Sequence, residues 1–431
     1  MTTLTQGLTA LITVPSTEVP IVARPDVLVV GGGSAGLSAA VAAARQGADV
    51  LLLERFNYLG GLATGGLIIL LLTLDDGEGR QVIGGLCQEI VDRMKKRGGV
   101  FYPPKDQWGD PDPKLVEHCN RWGLVWGSPS PEGHRVRYSV AFDPHEFIFA
   151  ADQMVREAGV RVLYQTLGCE PVVEDGRITA VVIQNKAGRQ AIVPSVVIDT
   201  TGDGDIFATA GEQFELERVH PWLWFLMSNV KDIEAALDSK RGLFFRSIGD
   251  GHALVPWGGE ARVQRKINAT DPHEVSEALV ECRQMVMEEA ARLKANVPGF
   301  EDAYVSLIAD QLGVTESRRL RGQYVLARDD LDKPFDDVIA VTGHWTKYAC
   351  VYNIPYRSLL PQRITNLLAA GRCISADHRA HHATKEIPPC MATGQAAGTA
   401  AAMAAANGTS TQAVDLSDLQ HKLRDAGAIL A

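Results

Sequence analysis

The chain has 431 residues, of which 46% are hydrophobic and 22% are charged, a composition typical of a globular protein with a sizeable core. This length predicts two or three domains, because a single core stops growing near about 250–300 residues. The formal net charge of −10 argues against nucleic acid and anionic membranes as partners, since both attract a positively charged surface.

The cysteine pattern and the N-terminal residues indicate the cellular compartment in which the protein is expected. No two cysteines form a CxxC pair, which favours free thiols in a reducing compartment and no zinc site; we therefore expect no metal. The first fifteen residues contain no Lys or Arg before their apolar run, so we expect no secretory signal and a cytoplasmic protein. The apolar stretch Leu67–Leu72 is too short to span a bilayer. The cysteines are Cys87, Cys119, Cys169, Cys282, Cys350, Cys373 and Cys390.

A strand, a glycine-rich turn, a helix and a second strand follow one another between Asp26 and Glu54, which is the order of a Rossmann βαβ unit. The turn reads Gly31-x-Gly33-x-x-Gly36. Its first glycine permits the tight turn, the second lets the backbone approach a pyrophosphate, and the third lets helix and strand pack closely. Glu54 ends the second strand, where an acidic side chain accepts hydrogen bonds from ribose hydroxyls. The unit predicts a bound dinucleotide.

The βαβ unit alone leaves FAD and NAD open. Glu54-Arg55 is followed by the pair Gly60-Gly61, and a glycine pair suits a loop that passes close to a second ribose or a flavin edge. The sequence contains no second strand–GxGxxG–helix unit, so a built-in NAD(P)H domain is not expected. We therefore predict FAD.

Downstream, the pattern alternates between helices and short strands. Helices are predicted over Gln88–Lys96 and from Asp143 to Glu157, several short strands between Gly159 and Ile198, and a last strand at Asn366–Gly371 before a small-residue helix, Met391–Ala406. We predict an α/β fold in which a discontinuous FAD-binding domain surrounds a substrate or cap region. The boundaries are 21–65, 140–206 and 352–410 for the FAD-binding domain, 66–139 and 207–351 for the cap, and 411–431 for a C-terminal helix.

Several further blocks carry a resemblance to a known family. Together with the βαβ unit they resemble the bacterial FAD-dependent oxidoreductases related to succinate dehydrogenase and fumarate reductase flavoproteins. The resemblance implies a Rossmann-like FAD-binding domain of the glutathione reductase type with an inserted α+β substrate domain. The blocks are 54–66, 82–85 with Glu89, 198–205, 316–322, 354–361, 366–373 and 391–398.

The resemblance also implies cofactor contacts. The pyrophosphate and adenosine would be held by Gly31, Gly33, Ser34, Ala35, Gly36, Glu54, Arg55, Gly168, Thr201, Gly202, Asp203, Gly371 and Arg372. The ribityl chain and flavin would lie along Gly60, Gly61, Leu62, Ala63 and Thr64. The start of the last helix, at Pro389, Cys390 and Met391, would aim N–H groups at the flavin N1/O2 locus, where a helix dipole stabilises negative charge.

The flavin is predicted to be non-covalent. Succinate dehydrogenase relatives often tether FAD through a His shortly after the glycine pair, whereas this chain has Leu62, Ala63 and Thr64 there. His381 or His382 is the alternative attachment point.

Substrate residues are less well marked. Oxidation of a substrate by flavin needs a substrate C–H or N–H aimed at N5 and often a base that takes a proton. The candidates are His344, Tyr352, Arg357, His381 and His382, with His378 and Arg379 beside them. The two adjacent histidines lie either near the isoalloxazine or on a solvent-facing loop. Arg318, Arg319 and Arg321 either bind a substrate carboxylate or form a salt-bridged structural node with Glu316, and Trp222 and Trp224 either line a pocket or pack in the core.

Four functions fit these observations. The first is a dehydrogenase or oxidase that passes hydride from a small polar organic substrate to FAD. The others are a double-bond reductase of the fumarate reductase type, a flavin hydroxylase, and a flavin-carrying electron-transfer subunit of a complex. A small molecule is the expected partner, with neither nucleic acid nor membrane, and a homo-oligomer is left open.

Overall fold

The computed structural model describes residues 16–125 and 133–430; the first fifteen residues, in which no signal was expected, lie outside this range. The helices of the described residues are α1 (Ser34–Arg45), α2 (Gly85–Lys95), α3 (Pro113–Asn120), α4 (Pro144–Glu157), α5 (Asp205–Thr209), α6 (Ile233–Asp238), α7 (Pro272–Asn296), α8 (His378–Thr384), α9 (Ile387–Asn407) and α10 (Leu416–Asp425).

The strands of the described residues are β1 (Ile21–Ala23), β2 (Val27–Val30), β3 (Val50–Leu53), β4 (Leu70–Leu71), β5 (Val100–Phe101), β6 (Val140–Phe142), β7 (Arg161–Leu163), β8 (Leu167–Glu174), β9 (Arg177–Asn185), β10 (Gly188–Ile192), β11 (Val196–Asp199), β12 (Phe214–Leu216), β13 (Phe225–Ser228), β14 (Phe245–Arg246), β15 (Ala253–Val255), β16 (Tyr304–Ile308), β17 (Arg318–Leu320), β18 (Val338–Gly343), β19 (Val351–Pro355) and β20 (Leu367–Ala369).

A five-stranded parallel sheet in the order β20-β11-β2-β3-β7 forms the centre of the molecule. Side chains of β2 alternate between its two faces, as the period of a strand requires. Val27 and Val29 join the core on the helical side, whereas Leu28 and Val30 join a second core. Both faces are covered, so β2 is apolar throughout, which is typical of a buried parallel strand. The sheet unites strands from all three segments predicted for the FAD-binding domain.

The second core lies under a four-stranded sheet in the order β1-β10-β9-β8. Ile178, Val181 and Ile183 of β9 share this core with Leu28 and Val30. The sheet therefore covers the face of the parallel sheet opposite α1 and α9, and the result is a layered α/β arrangement.

Helices α1 and α9 pack closely because both carry small residues. A Cβ atom on Gly394 would lie 2.1 Å from the carbonyl oxygen of Ala35, and one on Gly398 would lie 2.1 Å from that of Ala39. Two glycines four residues apart thus give α9 a side that accepts the backbone of α1. This packing holds the first turns of the two helices side by side.

The intervening regions form smaller sheets. The antiparallel sheet β14-β15-β13-β16 and the long α7 belong to 207–351, as do the strands of β12-β17 and the first strand of β18-β19. In the sheet β4-β6-β5, β6 pairs with both strands of 66–139. The predicted boundary at 140 therefore falls at a strand that belongs to that sheet. Among the described residues, no helix combines the length and apolar character needed to cross a bilayer.

Candidate active site

The glycine-rich turn has little room for side chains. Gly31 has φ +105°, and a Cβ atom there would lie 2.6 Å from the carbonyl oxygen of Thr200. A Cβ on Gly36 would lie 1.8 Å from the carbonyl oxygen of Gly31. The hydroxyl of Thr200 donates to the carbonyls of Val30 and Gly31 at 2.9 and 2.7 Å. The end of β11 thus fixes the turn after β2, and only glycine fits at Gly31 and Gly36.

Helix α1 begins at this turn without a side-chain cap. Its N-cap is Gly33, and no side chain hydrogen-bonds to the first turn. A Cβ atom on Gly33 would meet nothing within 4 Å. The first N–H groups of a helix lack partners within the helix and carry partial positive charge. Open space in front of uncapped N–H groups is the arrangement that binds a phosphate anion.

Glu54 is held against the turn from the end of β3. Its Oε2 accepts from the N–H of Gly32 at 2.7 Å, and its Oε1 accepts from the N–H of Phe56 at 2.8 Å. Burial raises the pKa of the Glu54 carboxyl, and the two backbone donors oppose that shift. Each oxygen keeps a second lone pair, so the carboxylate can also accept from ribose hydroxyls.

The Gly60-Gly61 pair adopts the backbone that its sequence predicts. Gly60 and Gly61 have φ +104° and +56°, and Gly60 forms a parallel bridge with Gly33. Thr64 is buried and donates to the carbonyl of Leu59 at 2.8 Å, so its side chain secures the loop from behind. The pair therefore lies beside the start of α1.

The turn after β11 is organised by a buried carboxylate. Asp199 accepts from the N–H groups of Ile206 and Phe207, both at 2.9 Å, and from the hydroxyl of Thr201 at 2.7 Å. Burial raises the pKa of Asp199 to about 6. These bonds hold the 200–204 loop at the carboxyl end of the parallel sheet, where ligands of doubly wound folds bind.

Arg372 cross-links this loop to two other segments. Its guanidinium pairs with Asp203 at 2.8 Å and donates to the carbonyls of Gly202 and Val314 at 3.0 and 2.8 Å. Arg372 is predicted to approach the pyrophosphate, and its guanidinium already forms an ion pair with Asp203.

The start of α9 differs from the predicted row of N–H donors. Pro388 and Pro389 carry no N–H, and the N–H of Cys390 donates to the carbonyl of Glu386 at 3.0 Å. Ile387 is therefore the residue of the first turn whose N–H is available. The expectation that Pro389 and Cys390 aim N–H groups at the flavin is wrong for this reason, although the dipole of the helix remains.

These elements enclose a cavity of about 660 Å³, within the usual range for small-molecule sites. Most of the predicted cofactor residues line it. Gly36, Thr64, Pro389 and Met391 do not line it: Gly36 and Thr64 secure the turn and the loop, and the other two lie within α9. The predicted residues in the wall are Gly31, Gly33, Ser34, Ala35, Glu54, Arg55, Gly60, Gly61, Leu62, Ala63, Gly168, Thr201, Gly202, Asp203, Gly371, Arg372 and Cys390.

The wall also contains residues that sequence reasoning missed. Lys385, Glu386 and Ile387 contribute the segment between α8 and α9; their position directly before the small-residue helix was the available signal. Cap residues from 269–279 and 310–318 close another side. The side-chain amide of Gln311 donates to the hydroxyl of Tyr58 at 2.9 Å, which joins the cap to the loop before the glycine pair. No sequence motif marked these cap residues.

None of the five predicted catalytic residues is among the described residues that line the cavity. His344 and Tyr352 are neighbours, with ring centroids 6.3 Å apart. His382 lies one helical turn before Lys385. Arg357 forms an ion pair with Asp337 at 2.9 Å, which is a structural role.

Burial lowers the pKa of three of these histidines and so favours their neutral form. Burial, reinforced by Lys347 and Arg137, lowers the pKa of His344 to about 4. Burial, reinforced by Lys385 and His378, lowers the pKa of His382 to about 4. His381 is fully buried, and its pKa falls well below the ordinary value. A neutral imidazole can accept a proton, so His344 and His382 qualify as bases.

The three arginines of the predicted cluster form ion pairs within the protein, and the two tryptophans pack in or against the core. Arg318 pairs with Asp205 at 2.9 Å, Arg319 with Glu316 at 2.6 Å, and Arg321 with Glu215 at 2.6 Å. Trp224 is buried in the core, and Trp222 packs against it. Arg318 alone of the three arginines lines the cavity.

Comparisons with known proteins bear on the family of the chain. No curated protein sequence matches the chain. Among solved structures, the p-nitrophenol 4-monooxygenase of Pseudomonas putida DLL-E4 is 13% identical over 91% of this chain and 82% of its own, with a TM-score of 0.51. The glycine oxidase of Geobacillus kaustophilus is 13% identical over 92% of this chain and 98% of its own (TM-score 0.48). A geranylgeranyl bacteriochlorophyll reductase-like protein of Thermoplasma acidophilum is 15% identical over 94% and 84% (TM-score 0.48).

At these identities the structural likeness concerns the fold alone. The sequence itself gives the assignment, because the family model described as FAD dependent oxidoreductase matches residues 26–423. This range begins at the strand before the glycine-rich turn and ends in α10. The prediction of FAD as cofactor is confirmed, and the chain belongs to the FAD dependent oxidoreductase family.

Proposed function

We propose that the chain is a dehydrogenase or oxidase that removes a hydride and a proton from a small polar organic substrate. The proposal rests on the cavity that joins the FAD-binding elements to the cap in a chain of this family, and on two half-buried histidines, His344 and His382, whose pKa values burial lowers to about 4. Substrate oxidation releases a proton, and a neutral imidazole accepts it at pH 7. A double-bond reductase would instead need a protonated acid in this place.

The cavity residues divide the work of holding FAD. The uncapped start of α1 would bind the pyrophosphate, and Glu54 would accept from ribose hydroxyls. Bound FAD supplies the hydride acceptor. Lys385 and the N–H of Ile387 would place positive charge in the cavity wall. His382, which does not line the cavity, would take the proton of the substrate through an intervening water rather than directly.

We propose that FAD is bound non-covalently. The positions after Gly61 hold Leu62 and Ala63, whose side chains form no bond to a flavin ring. Acid precipitation of the purified protein should leave a colourless pellet and a yellow supernatant. A pellet that stays yellow after washing would contradict this.

The closer relationship to succinate dehydrogenase and fumarate reductase flavoproteins, and a fold of the glutathione reductase type, are part of the same proposal. Their support is the set of sequence blocks between Glu54 and Gly398 and the parallel sheet covered by a second, mainly antiparallel sheet.

The test is an anaerobic absorbance scan of the FAD-loaded protein with hydroxy acids, amino acids, sugars and NAD(P)H added one at a time. Bleaching near ~450 nm by an organic substrate is the expected result, because reduced flavin loses this band. Bleaching by NAD(P)H alone would overturn the proposal in favour of a reductase or hydroxylase. The variant Gly33→Val serves as a control without flavin.

A further inference from the structure

A cluster of potential metal ligands lies outside the lining of the cavity, and one of its members, His378, has its Nε2 3.4 Å from Nε2 of His382. Glu217 directly follows β12, Glu316 precedes β17, and His378 begins α8. Their ligand atoms all lie within 4.8 Å of one another, although the three residues come from distant parts of the sequence. The fold therefore gathers two carboxylates and an imidazole at one point.

Glu316 presents one oxygen to this cluster. Its side chain is 4% exposed, and its Oε1 pairs with Nε of Arg319 at 2.6 Å. Its Oε2 lies 2.9 Å from Nδ1 of His378. A carboxylate that is held through one oxygen and offers the other has the arrangement of a metal ligand with its outer-shell partner.

His381 adds an independent observation. It is fully buried, and its Nε2 lies 2.8 Å from the carbonyl oxygen of Arg372. A carbonyl only accepts, so Nε2 carries the hydrogen and Nδ1 carries the lone pair. This Nδ1 has no hydrogen-bond partner and lies 3.7 Å from Oε2 of Glu316. A histidine that donates one ring N–H to a backbone carbonyl and directs the other nitrogen inward is oriented as metal-bound histidines are.

The charges of the cluster also favour a cation. Within the described residues, the Glu217 carboxylate forms no ion pair or side-chain hydrogen bond. Arg319 compensates one negative charge, and it is shared with Glu215 at 3.2 Å. The two carboxylates of the cluster therefore share only part of the charge of one guanidinium.

We propose that Glu217, Glu316, His378 and His381 bind one Zn²⁺ ion. Tetrahedral zinc with bonds of about 2.0–2.2 Å places its ligand atoms about 3.4 Å apart. Oε2 of Glu316 lies 2.9 Å from Nδ1 of His378 and 3.7 Å from Nδ1 of His381, on either side of this value. The ligand atoms of Glu217, Glu316 and His378 lie within 4.8 Å of one another, so zinc binding would shorten the longer distances. Two nitrogen and two oxygen ligands suit zinc, whereas magnesium and calcium prefer oxygen alone. The half-exposed His378 provides the entry path.

The position of the site indicates a structural role. The four ligands join the end of β12, the start of β17 and two successive turns of α8. Helix α8 leads directly into Lys385, which lines the cavity, and the carbonyl held by His381 belongs to Arg372, which also lines it. Zinc would fix α8 to the cap strands and so fix one side of the FAD cavity. Zinc binding can be measured separately from the proposed reaction, although His378 contacts the proposed base His382.

The test measures zinc on the FAD-loaded full-length protein after dialysis against EDTA. Zinc chloride is titrated in competition with a chromophoric chelator, and the metal content is measured by atomic absorption. We expect one zinc per chain, no competition from an equal concentration of magnesium, and a higher melting temperature with zinc. The variants His378→Ala and Glu217→Gln change partly exposed side chains, and each should weaken zinc binding by at least about tenfold.

The matched control is His421→Ala, which removes an exposed histidine whose Nδ1 lies 3.0 Å from a carboxylate oxygen of Asp425 outside the cluster. It should bind zinc as the parent does. Flavin absorbance verifies that each variant is folded. A parent protein that binds no zinc at micromolar concentration would overturn the proposal. Equal zinc affinity in the parent, His378→Ala and Glu217→Gln would also overturn it.

Discussion

At the residue scale, a substitution of Gly33 is expected to affect FAD binding without affecting folding. Its backbone is extended, with φ −64° and ψ −176°, so any residue can adopt it, and a Cβ atom would meet nothing within 4 Å. The variant Gly33→Val should therefore fold with a near-parental melting temperature in the absence of FAD. It should lose FAD, because the new side chain fills the space before the first turn of α1. Flavin content per chain is the measurement, and a yellow variant with parental stoichiometry would place the pyrophosphate elsewhere.

His382 carries the pH dependence of the proposed reaction. Its pKa is lowered to about 4, so the neutral base is present at neutral pH and is lost as the pH falls through about 4. The acid limb of kcat/KM should lie near pH 4, well below the ordinary histidine value of about 6.5. His382→Gln should lower kcat by about 10²–10⁴-fold, whereas the exposed His145→Ala should leave it unchanged. An acid limb near 6.5, or a fully active His382→Gln, would exclude His382 as the base.

Single residues of the glycine-rich turn were predictable because the chemistry acts through local sequence. Gly31 and Gly36 each have a close backbone contact that requires glycine, whereas Gly33 leaves open space before the helix, and the motif encodes all three. Lys385 was missed because its contribution depends on where α8 and α9 meet, and no motif describes that junction. The prediction of free N–H groups near Cys390 was wrong because Pro388 and Pro389, which have no N–H, directly precede it in the sequence.

At the element scale, the packing of α1 against α9 makes a prediction about stability. Gly398→Ala would bring a Cβ within 2.1 Å of the Ala39 carbonyl oxygen and should destabilise the protein by about 1–3 kcal/mol, the usual cost of overpacking. Gly398 lies outside the cavity wall, so one FAD per chain should still bind. The exposed Ala406→Leu on the same helix should change stability by less than about 0.5 kcal/mol. Urea unfolding checks both, and equal midpoints for Gly398→Ala and the parent would contradict the close packing.

The elements of the FAD-binding region could be predicted, whereas those of the cap could not. Strands β2 and β3 and helix α1 match the predicted βαβ unit, and α9 extends the predicted small-residue helix from Met391 back to Ile387. These elements have strong local signals: apolar runs, glycine turns and small-residue periodicity. In 207–351 the strands have two to six residues and pair with distant partners, so long-range contacts decide their existence.

At the scale of the whole molecule, the cavity lies between the parallel sheet and the cap and is lined by residues of both. Its wall takes Gly33 and Glu54 from the βαβ unit, 269–279 and 310–318 from the cap, and Ile387 from α9. Direct bonds join these segments: the Gln311 side chain donates to the Tyr58 hydroxyl, Arg318 pairs with Asp205, and Arg372 donates to the carbonyl of Val314. A ligand that fills the cavity adds further contacts to each of these regions.

FAD should consequently stabilise the whole protein and protect the cap from proteolysis. A ligand that binds only the folded state at 100 times its Kd adds about 2.7 kcal/mol to the free energy of unfolding. Returning FAD to the flavin-free protein should raise the melting temperature and slow cleavage near the start of α7, which lines the cavity through Pro272 and Val275. Gly33→Val should gain neither effect at the same FAD concentration. If cleavage near α7 were equally fast with and without FAD in the parent protein, the cap would not be held by the cofactor, and residues 269–279 would have to be assigned to the substrate instead.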